Sequence, residues 1–144
     1  MFFHLRILMF LMIVNLSCKK DNINQQLGIP YVKVDSYIFL QSPSGQPLNA
    51  VGGWIYLPGG SRGVVIYRRA FDEFVAFDRH CTYHPEETCG KVEVDLTNSV
   101  MLKCNCCSSV FSLIDGSVLK GPASFPLLSY RAILSDANTL HVFN

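Results

Sequence analysis

Charge is scarce and balanced in this chain of 144 residues: 12 lysines and arginines face 11 acidic residues, for a formal net charge of +1. That balance leaves no basic patch of the kind that holds nucleic acid, and no nucleic-acid partner is expected. No apolar run reaches the roughly 20 residues that a membrane-spanning helix needs. No stretch keeps a sustained helical period, and no segment repeats another. Signatures of catalysis are missing as well, since no Ser-His-Asp order, phosphate-binding loop or carboxylate pair stands out. The length leaves room for one domain of ordinary size.

Short apolar runs and cysteine are what the chain does contain. Runs rich in β-branched and aromatic residues occupy 31–40, 54–57, 64–67, 74–77, 92–96, 100–102, 110–113, 127–133 and 140–143, bounded by Gly, Pro, Asn and Ser. Each has the length of a strand. Gly59-Gly60-Ser61 and Asp115-Gly116 mark turns between them. Many short strands at regular spacing predict an all-β sandwich or barrel, with Trp54, Phe74, Phe77 and Phe111 packed in its core.

The N-terminus reads as a targeting segment. His4 and Arg6 precede an unbroken apolar run over 7–14, of the roughly 7–15 residues usual for a signal peptide. Ser17 then stands just before Cys18. The pattern resembles a bacterial lipoprotein signal, although Asn15 and Leu16 depart from its usual residues, and it implies lipidation of Cys18. An uncleaved N-terminal anchor is the alternative. Either places the rest of the chain in the cell envelope, on the extracytoplasmic side of a membrane (periplasm or cell surface), where disulfides persist. Residues 1–18 are thus expected to be the signal, 19–29 a polar tether and 30–144 the folded domain.

Six cysteines in so short a chain need a chemical reason. Beyond Cys18 they fall in two clusters: Cys81-Thr82-Tyr83-His84 with Cys89 a little later, and Cys104-Asn105-Cys106-Cys107. A C-x2-H followed about twenty residues on by C-x2-C is a metal-ligand spacing, because two ligands on each of two tight loops can complete a tetrahedron. Cys81, His84, Cys104 and Cys107 are the candidate ligands. Core packing or paired disulfides are the alternatives.

Residues 104–127, CNCCSSVFSLIDGSVLKGPASFPL, resemble the second cluster-binding box of Rieske proteins and the proline-bearing loop that follows it. Residues 75–89 occupy the place of the first box. The upstream G-G-W-I-Y-x-P-G-G-x-R-G also resembles the small Rieske-like lipoproteins of Bacteroides relatives. This likeness implies an iron–sulfur-protein type of β-sandwich with a small metal-binding subdomain formed by two loops. It matches Cys81 and Cys104 to the family's cysteine ligands, and Cys89 and Cys106 to a disulfide that joins the loops in some members. Ser109 matches a serine that hydrogen-bonds the cluster. The boxes also depart from the family: His84 is shifted by one, with Tyr83 in the histidine place, and Cys107 stands where the second histidine ligand belongs. Ser108 replaces a glycine, and Phe111 falls where some members have tyrosine.

The resemblance implies a [2Fe–2S] cluster; zinc, or no metal at all, is the alternative. Two thiolates and two neutral imidazoles neutralise an oxidised cluster core, whereas three thiolates and one imidazole leave it negative. The potential should then fall below Rieske values, which lie roughly between −150 and +300 mV, toward the about −400 mV of four-cysteine centres. His80, Arg68, Arg69, Arg79 and Lys103 are read as surface residues. The implied function is a membrane-tethered one-electron carrier to a redox partner protein, more an electron-transfer protein than an enzyme with its own substrate. The alternative is a non-redox lipoprotein with a degenerate Rieske fold whose loops are held by zinc or a disulfide.

Overall fold

A computed structural model describes residues 27–144. The signal segment, Cys18 and most of the tether lie outside the described residues. Among the described residues no helix is long and apolar enough to cross a membrane.

The structure is all-β. Strands β1 (Asp35–Phe39), β2 (Trp54–Leu57), β3 (Val64–Arg68), β4 (Phe74–Asp78), β9 (Ser129–Asp136) and β10 (Thr139–Phe143) form one sheet in the order β1-β10-β9-β4-β3-β2. Strands β5 (Val92–Asp95), β6 (Asn98–Cys104), β7 (Val110–Ser112) and β8 (Val118–Lys120) follow one another in a second, smaller sheet. Neighbouring strands pair antiparallel in both. A short 3-10 turn, Gln46–Asn49, buries Leu48.

Period-two alternation divides the apolar residues of β3 between two cores. Val64 and Ile66 pack with Ile38, Phe74, Ala76, Leu140 and Val142 on one face of the large sheet. Val65 and Tyr67 point the other way, toward Phe77, the small sheet's Val92, Val94, Leu102 and Phe111, and Leu113 just past β7. Both faces of β3 are therefore covered, which is why its sequence is a continuous apolar run rather than an alternating one. Phe74, Phe77 and Phe111 are buried as expected, and Trp54 packs at the core margin.

Nine of the ten strands coincide with apolar runs in the sequence. The exception is β8, three residues long and partly exposed. The run at 31–40 pairs only from Asp35; Tyr31 is 63% exposed. Leu27 and Ile29 pack on Leu128, so the expected boundary at residue 30 falls inside this contact.

The site loops leave from strand ends. Residues 79–91 link β4 to β5, residues 105–109 link β6 to β7, and residues 121–128 link β8 to β9. The last of these carries a cis Gly121–Pro122 peptide bond.

Candidate metal centre

Cys104 is the last residue of β6 and pairs across the ladder with Val92, which fixes its sulfur at the base of the second loop. Cys81 lies three residues past the end of β4, and its N–H bonds the carbonyl of Gly90. Both are fully buried, while Cys107, at the tip of the second loop, is part-exposed. The three sulfurs lie within 4.8 Å of one another, and those of Cys81 and Cys107 are 3.6 Å apart. A tetrahedral ion with metal–sulfur bonds of about 2.3 Å holds its sulfurs roughly 3.8 Å apart. The spacing therefore suits thiolate ligation, and the all-sulfur chemistry suits iron–sulfur or zinc.

The loops are cross-linked beside these thiols. Cys89 and Cys106 form a disulfide with a Cα–Cα separation of 5.4 Å, within the ordinary range. This is the pairing the resemblance implies. Ser109 is fully buried, and its hydroxyl accepts from the Cys107 thiol at 3.0 Å and from the Ala123 N–H at 2.9 Å. One serine thus joins the thiol loop to the proline-bearing loop.

The electrostatics of the sulfurs differ. Burial holds the Cys81 thiol well above the usual thiol range, and the neighbouring thiols add to this. Partial burial also opposes ionisation of Cys107, but its hydrogen bonds with Ser109, Cys104 and Cys81 outweigh it and hold this thiol below its usual value. The shifts of Cys81 and Cys107 are therefore opposite in direction.

His84 sits apart from the three sulfurs. Its backbone is left-handed, with φ 51°, and its side chain is 56% exposed, with Nδ1 2.9 Å from Glu86. The Tyr83 ring meets the His84 ring edge-on, with centroids 4.2 Å apart. His84 nevertheless faces the same open cleft as Cys107. That cleft, about 480 Å³, is lined by Tyr83, His84, Glu87, Cys106, Cys107 and Pro122.

Two residues read from the sequence as surface groups are buried instead. His80 is 3% exposed: its ring bonds the Pro85 carbonyl through Nε2 at 2.8 Å and the Ser61 hydroxyl through Nδ1 at 2.8 Å. A carbonyl only accepts, so Nε2 carries the proton and Nδ1 accepts from Ser61. Burial holds this imidazole below its usual value, which favours that neutral form. Arg79 is 6% exposed, with its guanidinium 3.5 Å from the Tyr56 ring centroid; it donates to the Val92 carbonyl and to Glu93. Arg79 is covered by Tyr56 of β2 and by β5, and His80 by the Gly59–Gly63 turn and the Pro85 segment.

The sequence reading missed the polar truss beneath the first loop. Asp78, 1% exposed, accepts from the backbone N–H groups of Ser61, Arg62 and His80 and from the Tyr130 hydroxyl. Burial and the Asp78 carboxylate together push the Tyr130 phenol well above its usual value. Gly60 must be glycine here: its φ is 61°, and a Cβ would lie 2.5 Å from Asp78 Oδ2. Arg62 Nη2 joins His80 on the Pro85 carbonyl, while Arg62 Nη1 is buried without a partner among the described residues. A signal was present in the sequence: Asp78 continues the inward-facing 74, 76, 78 series of β4, where a carboxylate needs several donors.

No protein-family model and no curated protein matches the chain. Among solved structures, the cyanobacterial plasma membrane Rieske protein PetC3 from Synechocystis PCC 6803 is similar at 23% identity and a TM-score of 0.53, covering 69% of this chain and 93% of that one. The ferredoxin of carbazole 1,9a-dioxygenase from Nocardioides aromaticivorans IC177 is similar at 14% identity and a TM-score of 0.48, covering 74% and 96%.

Proposed function

We propose that this chain, whose fold is that of Rieske proteins, is a one-electron carrier that holds a [2Fe–2S] cluster through Cys81, Cys104, Cys107 and His84 and is tethered to a membrane through a lipidated Cys18. The observation that carries this reading is the convergence of three thiols from two loop ends of that fold. When bound, the cluster supplies a centre that gains and loses a single electron.

The chain's own residues do the rest. The disulfide joins the two loops, and the Asp78 truss anchors the first of them to the Gly59–Gly63 turn. Buried Cys81 and Cys104 keep water from one side, while Cys107 and His84 lie at the cleft, where a partner protein can approach. The Ser109 hydroxyl can rotate to donate to a Cys107 thiolate, which stabilises the anionic sulfur. Three thiolates leave a loaded site more negative than two thiolates with two imidazoles, so its potential should lie below the roughly −150 to +300 mV of Rieske centres.

Protein-film voltammetry of the reconstituted chain tests the ligand set. His84→Cys adds a further negative charge and should lower the potential. A potential left unmoved by His84→Cys would remove His84 from the ligands. Lipidation is tested separately: intact mass of membrane-extracted wild type should show acyl chains, and Cys18→Ala should show none.

A second reading has its own observation. The three sulfurs lie within 4.8 Å of one another, as close as the corners of one tetrahedron. That spacing suits a single zinc ion that holds the loops and carries no electron. A colourless protein containing zinc and no inorganic sulfide would establish this reading over the first.

A further inference from the structure

We propose that Cys81 and Cys107 form a reversible disulfide in the metal-free chain, so that oxidation closes the site to metal. The consequence for metal rests on the ligand reading above; the sulfur chemistry does not.

Access and proximity assign the two sulfurs different parts. Cys107 is the part-exposed thiol and lines the cleft, whereas Cys81 and Cys104 are fully buried. Of these three thiols, an oxidant that is itself a small disulfide can therefore reach only Cys107. Cys107 displaces one half of that disulfide as a thiol and becomes a mixed disulfide. The resolving sulfur is then Cys81, 3.6 Å away and on the loop that Cys106 is already bridged to. Cys81 then displaces the second half, also as a thiol. The balance is one S–S bond broken in the oxidant and one formed in the chain. Two hydrogens pass to the released thiols, and the chain is oxidised by two electrons.

The existing cross-link favours this closure. Cys106, next to Cys107, is already bridged to Cys89 in the loop that carries Cys81. The two loops are thus held together before the second bond forms, and little further chain entropy is lost. The bond must bring the sulfurs from 3.6 Å to about 2.05 Å. The side chain of Cys107, facing the cleft, has the room to make that move. The product removes two of the three clustered sulfurs from ligation, so metal and oxidant compete for the same pair.

The test uses the full chain, stripped of metal and treated with oxidised glutathione. Intact mass should fall by two hydrogens, and non-reducing peptide mapping should show Cys81–Cys107 beside Cys89–Cys106. Zinc binding should weaken by more than about 100-fold and return on mild reduction, and zinc loaded beforehand should block the mass change. Cys81→Ser should stop at one glutathione on Cys107, Cys107→Ser should show neither product, and Cys104→Ser should still close. No mass loss in wild type, or a Cys104–Cys107 link in its place, would overturn the proposal. A reduced chain that binds no metal, yet still forms the Cys81–Cys107 bond, would overturn the ligand reading and leave this one standing.

Discussion

The large and small sheets of this protein are held together by different means. The large sheet carries several ladders of four or five pairs, such as that of β3 on β4 from Val64–Asp78 to Arg68–Phe74, with a two-pair join of β4 to β9 and one register shift, and it has an apolar core on each face. The small sheet has strands of three or four residues apart from β6, and two register shifts. Its loops rely on a disulfide, a buried carboxylate with its donors, and Ser109 bridging two segments. The difference teaches where precision comes from here. Apolar burial makes the scaffold, while covalent and polar links set the positions of the sulfurs.

Breaking the scaffold should have the largest effect. Leu140→Ala removes a fully buried side chain from the core shared by β1, β3, β4 and β10. It should cost about 2–5 kcal/mol. Denaturant unfolding should show that loss for both sheets in one transition.

Asp78→Asn sharpens the comparison, because Asp78 belongs to the large sheet and serves the site. An amide leaves some of its donors facing an N–H, at a cost on the order of 3 kcal/mol. Thermal unfolding should record the loss. Amide hydrogen exchange should be faster at Ser61, Arg62 and His80, whose N–H groups Asp78 accepts.

Removing the cross-link should act on the small sheet first. A Cys89→Ser, Cys106→Ser double variant should cost about 2–4 kcal/mol. Hydrogen exchange should rise over residues 79–91 and 105–109 before it rises in β3 and β4. Equal loosening of both sheets would dissolve the contrast between them.

The smallest effect is a gain. Ser108 has φ 61°, a left-handed backbone that costs a non-glycine residue roughly 1–2 kcal/mol. Ser108→Gly should stabilise the chain by somewhat less, about 1 kcal/mol, because glycine gains entropy in the unfolded state. Equilibrium unfolding with an unchanged denaturant slope checks this.

Legibility in the sequence follows the same division. The scaffold strands could be read because their apolar runs reflect burial, even in β3, where both faces are covered. β8 could not, since three partly exposed residues after a turn carry no period. In the site, C-x2-C spacing and the box resemblance brought Cys81, Cys104 and Cys107 to one place. The direction of His84 was hidden, because it depends on a left-handed backbone and on Glu86 rather than on spacing. His80 and Arg79 were read as exposed because their burial comes from β5 and the Gly59–Gly63 turn, both distant in sequence. The glycine place taken by Ser108 was visible as a departure, and its positive φ explains why glycine suits that position.

The central claim is that three converging cysteines hold an iron–sulfur centre. Iron and inorganic sulfide, measured in protein purified without oxygen from its native host, test it most directly. The account predicts a red-brown protein with iron and sulfide in equal amounts, both lost in Cys104→Ser. A colourless wild-type protein with neither iron nor sulfide, whose Cys81, Cys104 and Cys107 all titrate as free thiols, would contradict it.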